Sequence, residues 1–573
     1  MIFYYLLLFI LSTLTYFLYK DSLTYPFFIF DDYDHYLYTL SKGNDSLIDL
    51  ITIHKTAIPF FYKAWSLILS LTEAKYHLIY LRFFNIILHL INSILTFYLI
   101  LEITPIRRKV YYQAFFATLL FFLHPLQVES VVWVSSMKGV LATFLTLSSW
   151  LIFLKYRSVT FYILSILLFT LALMTKVTVV PAPLIFILLA PTTKSYRLRS
   201  ILPYLIIGLL FSCYQIWSYQ PGIHHHIKWY ITHTVYQYKT YLLSLIIITT
   251  ALLYWFKRKK ILIKKYIYRI ALVVTTLSVI PWLVYYLFII KKLKNIIFIS
   301  YYSIYKSLLP TSYGLDYGIN DLFITRYFNN LDFIILLTTL VFTMLYLYRK
   351  SLYSFKLILS IGLLCAPHLG LISFHFSKSS FFADRFMYFP LILISYFIVS
   401  KLLFNSKKYF FQRITIIIIL LTVYSIKSYR NIMLWKTNET VLQESLKINS
   451  FSLITLMSLA HNYEKQGKVY KAMATYHNVS MRYPNFQDAY IKRIKLLIKI
   501  KRYDTAIDYI KHIMKKFQNF SPSLFKYLGE SYFLKEEYTD ALHYYNKYQR
   551  SSPQDINVKF IIMKLEEFAK AKK

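Results

Sequence analysis

The chain has 573 residues, 57% of them hydrophobic and 19% aromatic, with a formal net charge of +39. A soluble domain of this length does not carry so much apolar sequence, so the composition points to a polytopic membrane protein. The excess of Lys and Arg falls in short loops between apolar runs, where it sets topology, and this argues against nucleic acid as a partner.

Residues 1–19 are one apolar segment without a small-residue cleavage site and are expected to be a retained first span. Further spans are expected near 79–101, 113–124, 138–154, 159–174, 177–190, 201–218, 237–256, 268–290, 331–348, 357–373, 386–404 and 414–426. The 113–124 segment is short, and 177–190 carries Pro181 and Pro183, so either is expected to be kinked or re-entrant, leaving about 11–13 crossings. Cys213 and Cys365 lie inside apolar segments and read as buried small residues.

With the N-terminus inside, one side collects Arg107-Arg108-Lys109, Lys155 with Arg157, Lys194 with Arg197 and Arg199, the cation-rich 257–269 loop, Arg349-Lys350 with Lys356, and Lys407-Lys408 with Arg413. Only the acid Glu102 opposes them there, so that side is assigned to the cytoplasm, against the local vote of Lys20. Residues 20–78, 125–137, 219–236, 291–330, 374–385 and everything after about 427 then face outward.

In the first outer loop stands Phe30-Asp31-Asp32-Tyr33. Adjacent carboxylates repel, so one of them is a candidate base or metal ligand, although an Asp at a helix start can equally cap it. Next, Arg82, Asn85, His89 and Asn92 recur at spacings of 3, 4 and 3 and share one helical face turned away from lipid. Interhelical hydrogen bonding is the favoured reading for His89 and Asn92. His124-Pro125 and Glu129 flank a turn at a span end, and Lys138 begins the next span; their spacing does not suit a metal. Lys176 and Asp384-Arg385 sit at outward turns, where cations suit phosphate, with an Asp384 pair or interfacial snorkelling as the other readings of Arg385. His224-His225-His226 are consecutive on a loop and do not converge well on a metal.

From about residue 437 the apolar runs give way to amphipathic periodicity. Stacking 453–486, 487–520 and 522–555 aligns Leu459-Ala460, Tyr463, Ala472, Tyr476 and Pro484 with Leu528-Gly529, Tyr532, Ala541, Tyr545 and Pro553; the middle copy keeps Leu497 and Ala506. A 34-residue period with small residues at the eighth and twentieth positions matches the tetratricopeptide repeat, whose concave surface takes extended peptides. The expected architecture is all-α: a membrane domain over 1–430, then a repeat solenoid over 437–573 outside the membrane.

As an ordered set these stretches resemble the tetratricopeptide-containing transmembrane O-mannosyltransferases and their bacterial relatives in the GT-C glycosyltransferase superfamily. The set comprises Phe-Asp-Asp, the Arg82-to-Asn92 pattern, His124-Pro125 with Glu129 and Lys138, Lys176, Leu309-Pro310 with Asp316-Tyr317, and Ala383-Asp384-Arg385-Phe386 before the repeats. Val177 and Phe386 depart from the family pattern, and the repeat array is short. The resemblance implies an inverting enzyme that transfers a sugar, mannose above others, from a polyprenyl-phosphate donor to a hydroxyl acceptor. Asp31 or Asp32 would be the base, and Arg385, Lys176, Lys138 and Arg82 would hold the donor phosphate, with His124, Glu129 and Asp384 in support. No cofactor is firmly expected; a divalent cation at Asp31/Asp32 is the one considered. The acceptor would be Ser or Thr of an exported protein held by the repeats, in a bacterial inner membrane or, in a eukaryote, the ER. A glycolipid or polysaccharide acceptor is the alternative enzyme, and a membrane-anchored repeat scaffold the non-enzymatic one.

Overall fold

The computed structural model describes residues 2–54, 56–104, 110–156, 158–191, 200–219, 293–318, 330–369, 380–403 and 409–571. Every regular element among them is helical. They fall into two compact units, Met1–Tyr313 with Tyr317–Lys436, and Gly314–Asp316 with Thr437–Lys573.

Among the described residues of the first unit, five helical runs are long and apolar enough to cross a bilayer: Ile2–Thr24, Ala74–Ile103, Val134–Lys155, Leu331–Lys350 and Phe410–Leu434. Shorter apolar helices cover Val110–Phe122, Val159–Thr175, Val177–Leu188, Leu202–Gln215, Leu352–His368 and Pro390–Ser400. The spans expected at 237–256 and 268–290, the 257–269 loop, His224-His225-His226, Arg107-Arg108-Lys109, Arg157, Lys194, Arg197, Arg199 and Lys407-Lys408 lie outside the described residues. The 177–190 segment is not a continuous helix. Pro181 and Pro183 break it into a short 3-10 turn and a seven-residue helix, too short to cross a membrane alone.

The elements that matter below are α1 (Ile2–Tyr19), α2 (Asp32–Lys42), α3 (Leu47–Thr52), α4 (Pro59–Ser70), α5 (His77–Ile103), α6 (Val110–Phe122), α7 (Gln127–Val132), α8 (Met137–Lys155) and α9 (Val159–Thr175). The polar stripe of α5 is buried along its whole length. Asn85 Nδ2 donates to the Trp133 carbonyl (3.2 Å), His89 lies 2.8 Å from Tyr388 Oη and 3.2 Å from the Phe122 carbonyl, and Asn92 Nδ2 donates to the Val140 carbonyl (3.0 Å). Hydrophobicity gives little reason for one apolar helix to prefer another over lipid, so such bonds fix which helices meet. The interhelical reading of His89 and Asn92 describes what these side chains do.

The second unit is a helical repeat of tetratricopeptide-like form. Its hairpins are Leu453–Lys465 with Val469–Arg482, Gln487–Lys499 with Tyr503–Lys516, and Ser523–Leu534 with Tyr538–Ser551. Ala460, Ala472, Ala506, Gly529 and Ala541 are buried at the close approaches. Each first helix ends in the same way. The N–H of Lys468, Arg502 and Glu537 reaches back to the carbonyl of Tyr463, Leu497 and Tyr532, at 2.9 Å in all three. This closure needs a left-handed residue just before the donor, and Gly467 (φ 71°), Lys501 (φ 60°) and Glu536 (φ 67°) occupy it. Only the first copy uses glycine there, and a side chain in this conformation is strained. Lys501→Gly and Glu536→Gly should therefore each stabilise their hairpin by about 1 kcal/mol, and Gly467→Ala should cost a similar amount. Hydrogen-exchange protection of the repeat helices in the full-length protein measures this.

Candidate functional site

The adjacent Asp31 and Asp32 are not equivalent. Asp32 is the first residue of α2 and fully buried. Its Oδ2 accepts the Phe28 N–H (2.8 Å), and its Oδ1 accepts both the Ser135 N–H (2.9 Å) and Ser135 Oγ (2.5 Å). Burial pushes its carboxyl above the usual range, against the pull of those bonds and of Arg82. A carboxylate so occupied holds structure. Asp31 precedes the helix, makes no side-chain cap bond, and has a side chain 44% exposed, 3.9 Å from Lys138 Nζ. Of the two it is the one a substrate can reach.

Lys138, in the first turn of α8, also lies 3.3 Å from His35 Nε2, one turn along α2 from Asp31. Burial and then Lys138 draw His35 down to about 3, so its ring is neutral. An ammonium only donates, so Nε2 accepts and the proton sits on Nδ1, which donates to Tyr62 Oη at 2.8 Å. His35 carried no signal beyond its place four residues after Asp31, and it was not among the residues expected at the site.

Arg82 is turned onto the protein's own backbone. Its guanidinium is 2% exposed and is consumed by backbone carbonyls: Nε by Val132 (3.0 Å), one terminal nitrogen by Leu23 (3.2 Å) and Tyr25 (2.7 Å), the other by Pro26 (3.1 Å). His124 is likewise structural. Its Nε2 donates to the Ser307 carbonyl (2.8 Å), its Nδ1 accepts the Leu126 N–H (3.2 Å), and burial lowers it to about 4.

Glu129, in the first turn of α7, grips Arg385: Oε2 accepts its backbone N–H (2.8 Å) and Oε1 its guanidinium (2.5 Å). The guanidinium carbon stands 4.9 Å from the Trp133 ring centre. Arg385 thus pairs with Glu129, and not with Asp384 as one reading had it. Asp384 turns elsewhere, accepting Tyr317 Oη at 2.7 Å; burial pushes it up to about 7 against the pull of Lys306.

Arg385 and Lys176 line one pocket with Gly139, His368, Phe386 and Tyr388. Lys176 caps the C-terminus of α9, its N–H donating to the Ala172 carbonyl. A Cβ on Gly139 would stand 3.3 Å from Lys176 Nζ, so the missing side chain leaves the ammonium its room. Burial, then Arg385 and Lys138, draws Lys176 down to about 7, with Glu129 in partial opposition. No hydrogen-bond or ion-pair partner meets Lys176 Nζ among the described residues. Lys176 and Arg385 line the pocket, where paired cations suit an anionic group, and Asp31 stands beside Lys138, which acts on the charge of Lys176.

Asp31 and Asp32 do not converge on a shared cation position, since both Asp32 oxygens are taken by the protein. Among the described residues no group of three or more His, Cys, Asp or Glu side chains could hold a metal.

No protein-family model matches the chain, and no curated protein does. Among solved structures it is similar to MamA 41-end from Desulfovibrio magneticus RS-1, over 23% of this chain and 75% of that one, at 16% identity and a TM-score of 0.21. A likeness so slight carries no argument about fold or function.

The division of labour between the two aspartates is testable. Asp32→Asn and Arg82→Lys should each lower the stability of the membrane unit by about 2 kcal/mol, because each leaves buried partners unsatisfied. Asp31→Asn should leave it unchanged. Thermal unfolding in detergent, followed by tryptophan fluorescence, separates these outcomes.

Proposed function

We propose that the chain is a membrane glycosyltransferase that moves a sugar, mannose by its family resemblance, from polyprenyl phosphate to a hydroxyl of an acceptor with inversion. The observation that carries this reading is the pocket lined by Lys176 and Arg385, with Lys138 close enough to act on the charge of Lys176 and the exposed Asp31 3.9 Å from Lys138. In the reaction the acceptor oxygen attacks the anomeric carbon from the side opposite the phosphate, and its proton passes to the Asp31 carboxylate. The bond from the anomeric carbon to the phosphate oxygen breaks, and the phosphate keeps the electron pair. Lys176 and Arg385 stabilise the charge that develops there. A phosphate is already a good leaving group, so no strong general acid is required. Lys138, held between Asp31 and the neutral His35 ring, keeps the base in place. The donor headgroup lies at a bilayer surface, which agrees with a site at the outward ends of α5, α8 and α9: periplasmic in a bacterium, lumenal in the ER. The acceptor in this reading is Ser or Thr of an exported protein, with the repeats holding the segment.

Purified protein in detergent, polyprenyl-phosphate mannose and a Ser/Thr peptide test the proposal. Asp31→Asn should slow transfer by roughly 100- to 10,000-fold while donor binding persists. EDTA should leave the wild type unaffected. Full transfer by Asp31→Asn would remove the base, and loss with EDTA would recast Asp31 as a metal ligand.

Lys176 gives a pH signature. The donor phosphodiester stays a monoanion from pH 6 to 9, so in that window the lysine titrates and the ligand does not. Lys176 is charged below about pH 7 in the free site, and an anion beside it favours the charged form. Donor affinity should therefore be highest below pH 7 and fall as the pH rises above it. Lys176→Arg, which keeps its charge, should flatten the profile; direct donor-binding titrations across that range check both curves.

A further inference from the structure

We propose that His368 is a further ligand of the lipid phosphate, its ring N–H donating to an oxygen of the phosphate ester that Lys176 and Arg385 attract. The inference rests on the reading of this pocket as a phosphate site and adds to it a residue that the reading does not use.

His368 ends a 3-10 turn, Ala366–His368, that follows the helix Leu352–Cys365. Pro367, which has no N–H with which to continue a helix, stands at the start of the turn, and the Leu369 N–H donates to the Ala366 carbonyl at 3.2 Å. The turn brings the imidazole to the pocket that Lys176 and Arg385 line. There it lies flat on Phe386, with ring centres 4.3 Å apart and planes 6° from parallel. The Arg385 guanidinium carbon is 5.4 Å from the centre of the same Phe386 ring. One aromatic ring therefore fixes the plane of the imidazole and stands next to the guanidinium.

An imidazole has two nitrogens to satisfy, and this one is half-buried. The five other described histidines of the membrane unit each bond a protein group: His35 meets Tyr62, His54 meets Asp45, His77 meets Tyr36, His89 meets Tyr388 and His124 meets the Ser307 carbonyl. Among the described residues neither nitrogen of His368 makes such a bond. A polar ring held in place in this way, at a pocket and with its hydrogen bonds unused, is suited to a ligand.

The neighbouring charges decide which part of a ligand it takes. With two cations on the same pocket the ring stays neutral and offers one N–H and one lone pair. An ionised phosphate ester only accepts, so it takes the N–H. A neutral donor adds a hydrogen bond to the anion without setting a third positive charge against Lys176 and Arg385, as a lysine in its place would.

The test is equilibrium binding of two lipids to full-length protein in uncharged detergent: polyprenyl phosphate, and polyprenol, which has the same tail and no phosphate. It is run at about pH 8, where the imidazole is neutral and the phosphate ionised. The wild type should prefer the phosphate. His368→Phe, which keeps a ring on Phe386 and removes the N–H, should weaken polyprenyl phosphate binding by roughly 10- to 100-fold and leave polyprenol unchanged. His368→Gln, which keeps an N–H donor, should stay within about threefold of the wild type. Thermal unfolding checks that the variants fold, and His368→Leu replaces His368→Phe if the larger ring does not. Full phosphate binding by the apolar variant overturns the inference. So does an equal loss of polyprenol, which would make His368 a packing residue, or a loss in His368→Gln as large as in His368→Phe. A wild type that binds both lipids alike would remove the phosphate site itself, and with it both readings. Binding that depends on His368, without transfer of mannose, would sink the transferase reading alone.

Discussion

Four backbone carbonyls converge on the Arg82 guanidinium, and the architecture of the candidate site depends on that convergence. Three of them, from Leu23, Tyr25 and Pro26, belong to the chain leaving α1; the fourth, from Val132, ends α7. Peptide groups turned inward at a membrane surface are costly unless each finds a donor, and a guanidinium supplies five in one plane. Asp32 completes the join with the opposite polarity, accepting N–H groups from Phe28 on one side and Ser135 on the other. The first outer loop and the 132–136 turn thereby become one body. Asp31 and Lys138 follow from it: one lies a residue before Asp32, the other three residues after Ser135, and the two meet at 3.9 Å.

Neutral groups frame that pair. His35, unable to hold a proton beside Lys138, accepts from it and passes its own N–H to Tyr62. A charged imidazole would repel the ammonium that Asp31 needs nearby, so the burial that discharges the ring also preserves the ion pair. Phe61 and Trp65 of α4 pack edge-on against His35, with ring centres 5.3 and 6.3 Å away, and add to the burial that discharges it.

Much of this was legible in the sequence where periodicity speaks. The 3, 4, 3 spacing of Arg82, Asn85, His89 and Asn92 identified a buried face correctly, because helical geometry alone decides it. The repeats were legible for the same reason. What periodicity cannot tell is which partner each polar group meets. Arg82 looked like a phosphate ligand because a sequence shows the guanidinium but not the carbonyls that three irregular residues would turn toward it. Asp31 and Asp32 looked alike because the difference between them is the position of Ser135, about a hundred residues on. Glu129 and Arg385 are 256 residues apart, and nothing local marks them as a pair. The strained left-handed turns at Lys501 and Glu536 were hidden as well, since neither is the glycine that advertises such a turn.

The two cations of the pocket are treated differently, and their chemistry explains why. A guanidinium does not give up its proton within the range a protein experiences, so an arginine buried without an anion would hold an uncompensated charge. Arg385 accordingly has Glu129 clamped to it through two oxygens and Trp133 beneath it. An ammonium can shed its proton. Lys176, with its pKa drawn down to about 7, sits near Arg385 with no carboxylate of its own because it can relinquish part of its charge while the pocket is empty. In the proposed reaction the donor phosphate would restore that charge at the point of contact. The pocket thus holds one cation fixed by a carboxylate and one able to shed its charge, a combination that a pair of arginines or a pair of unpaired lysines would not give.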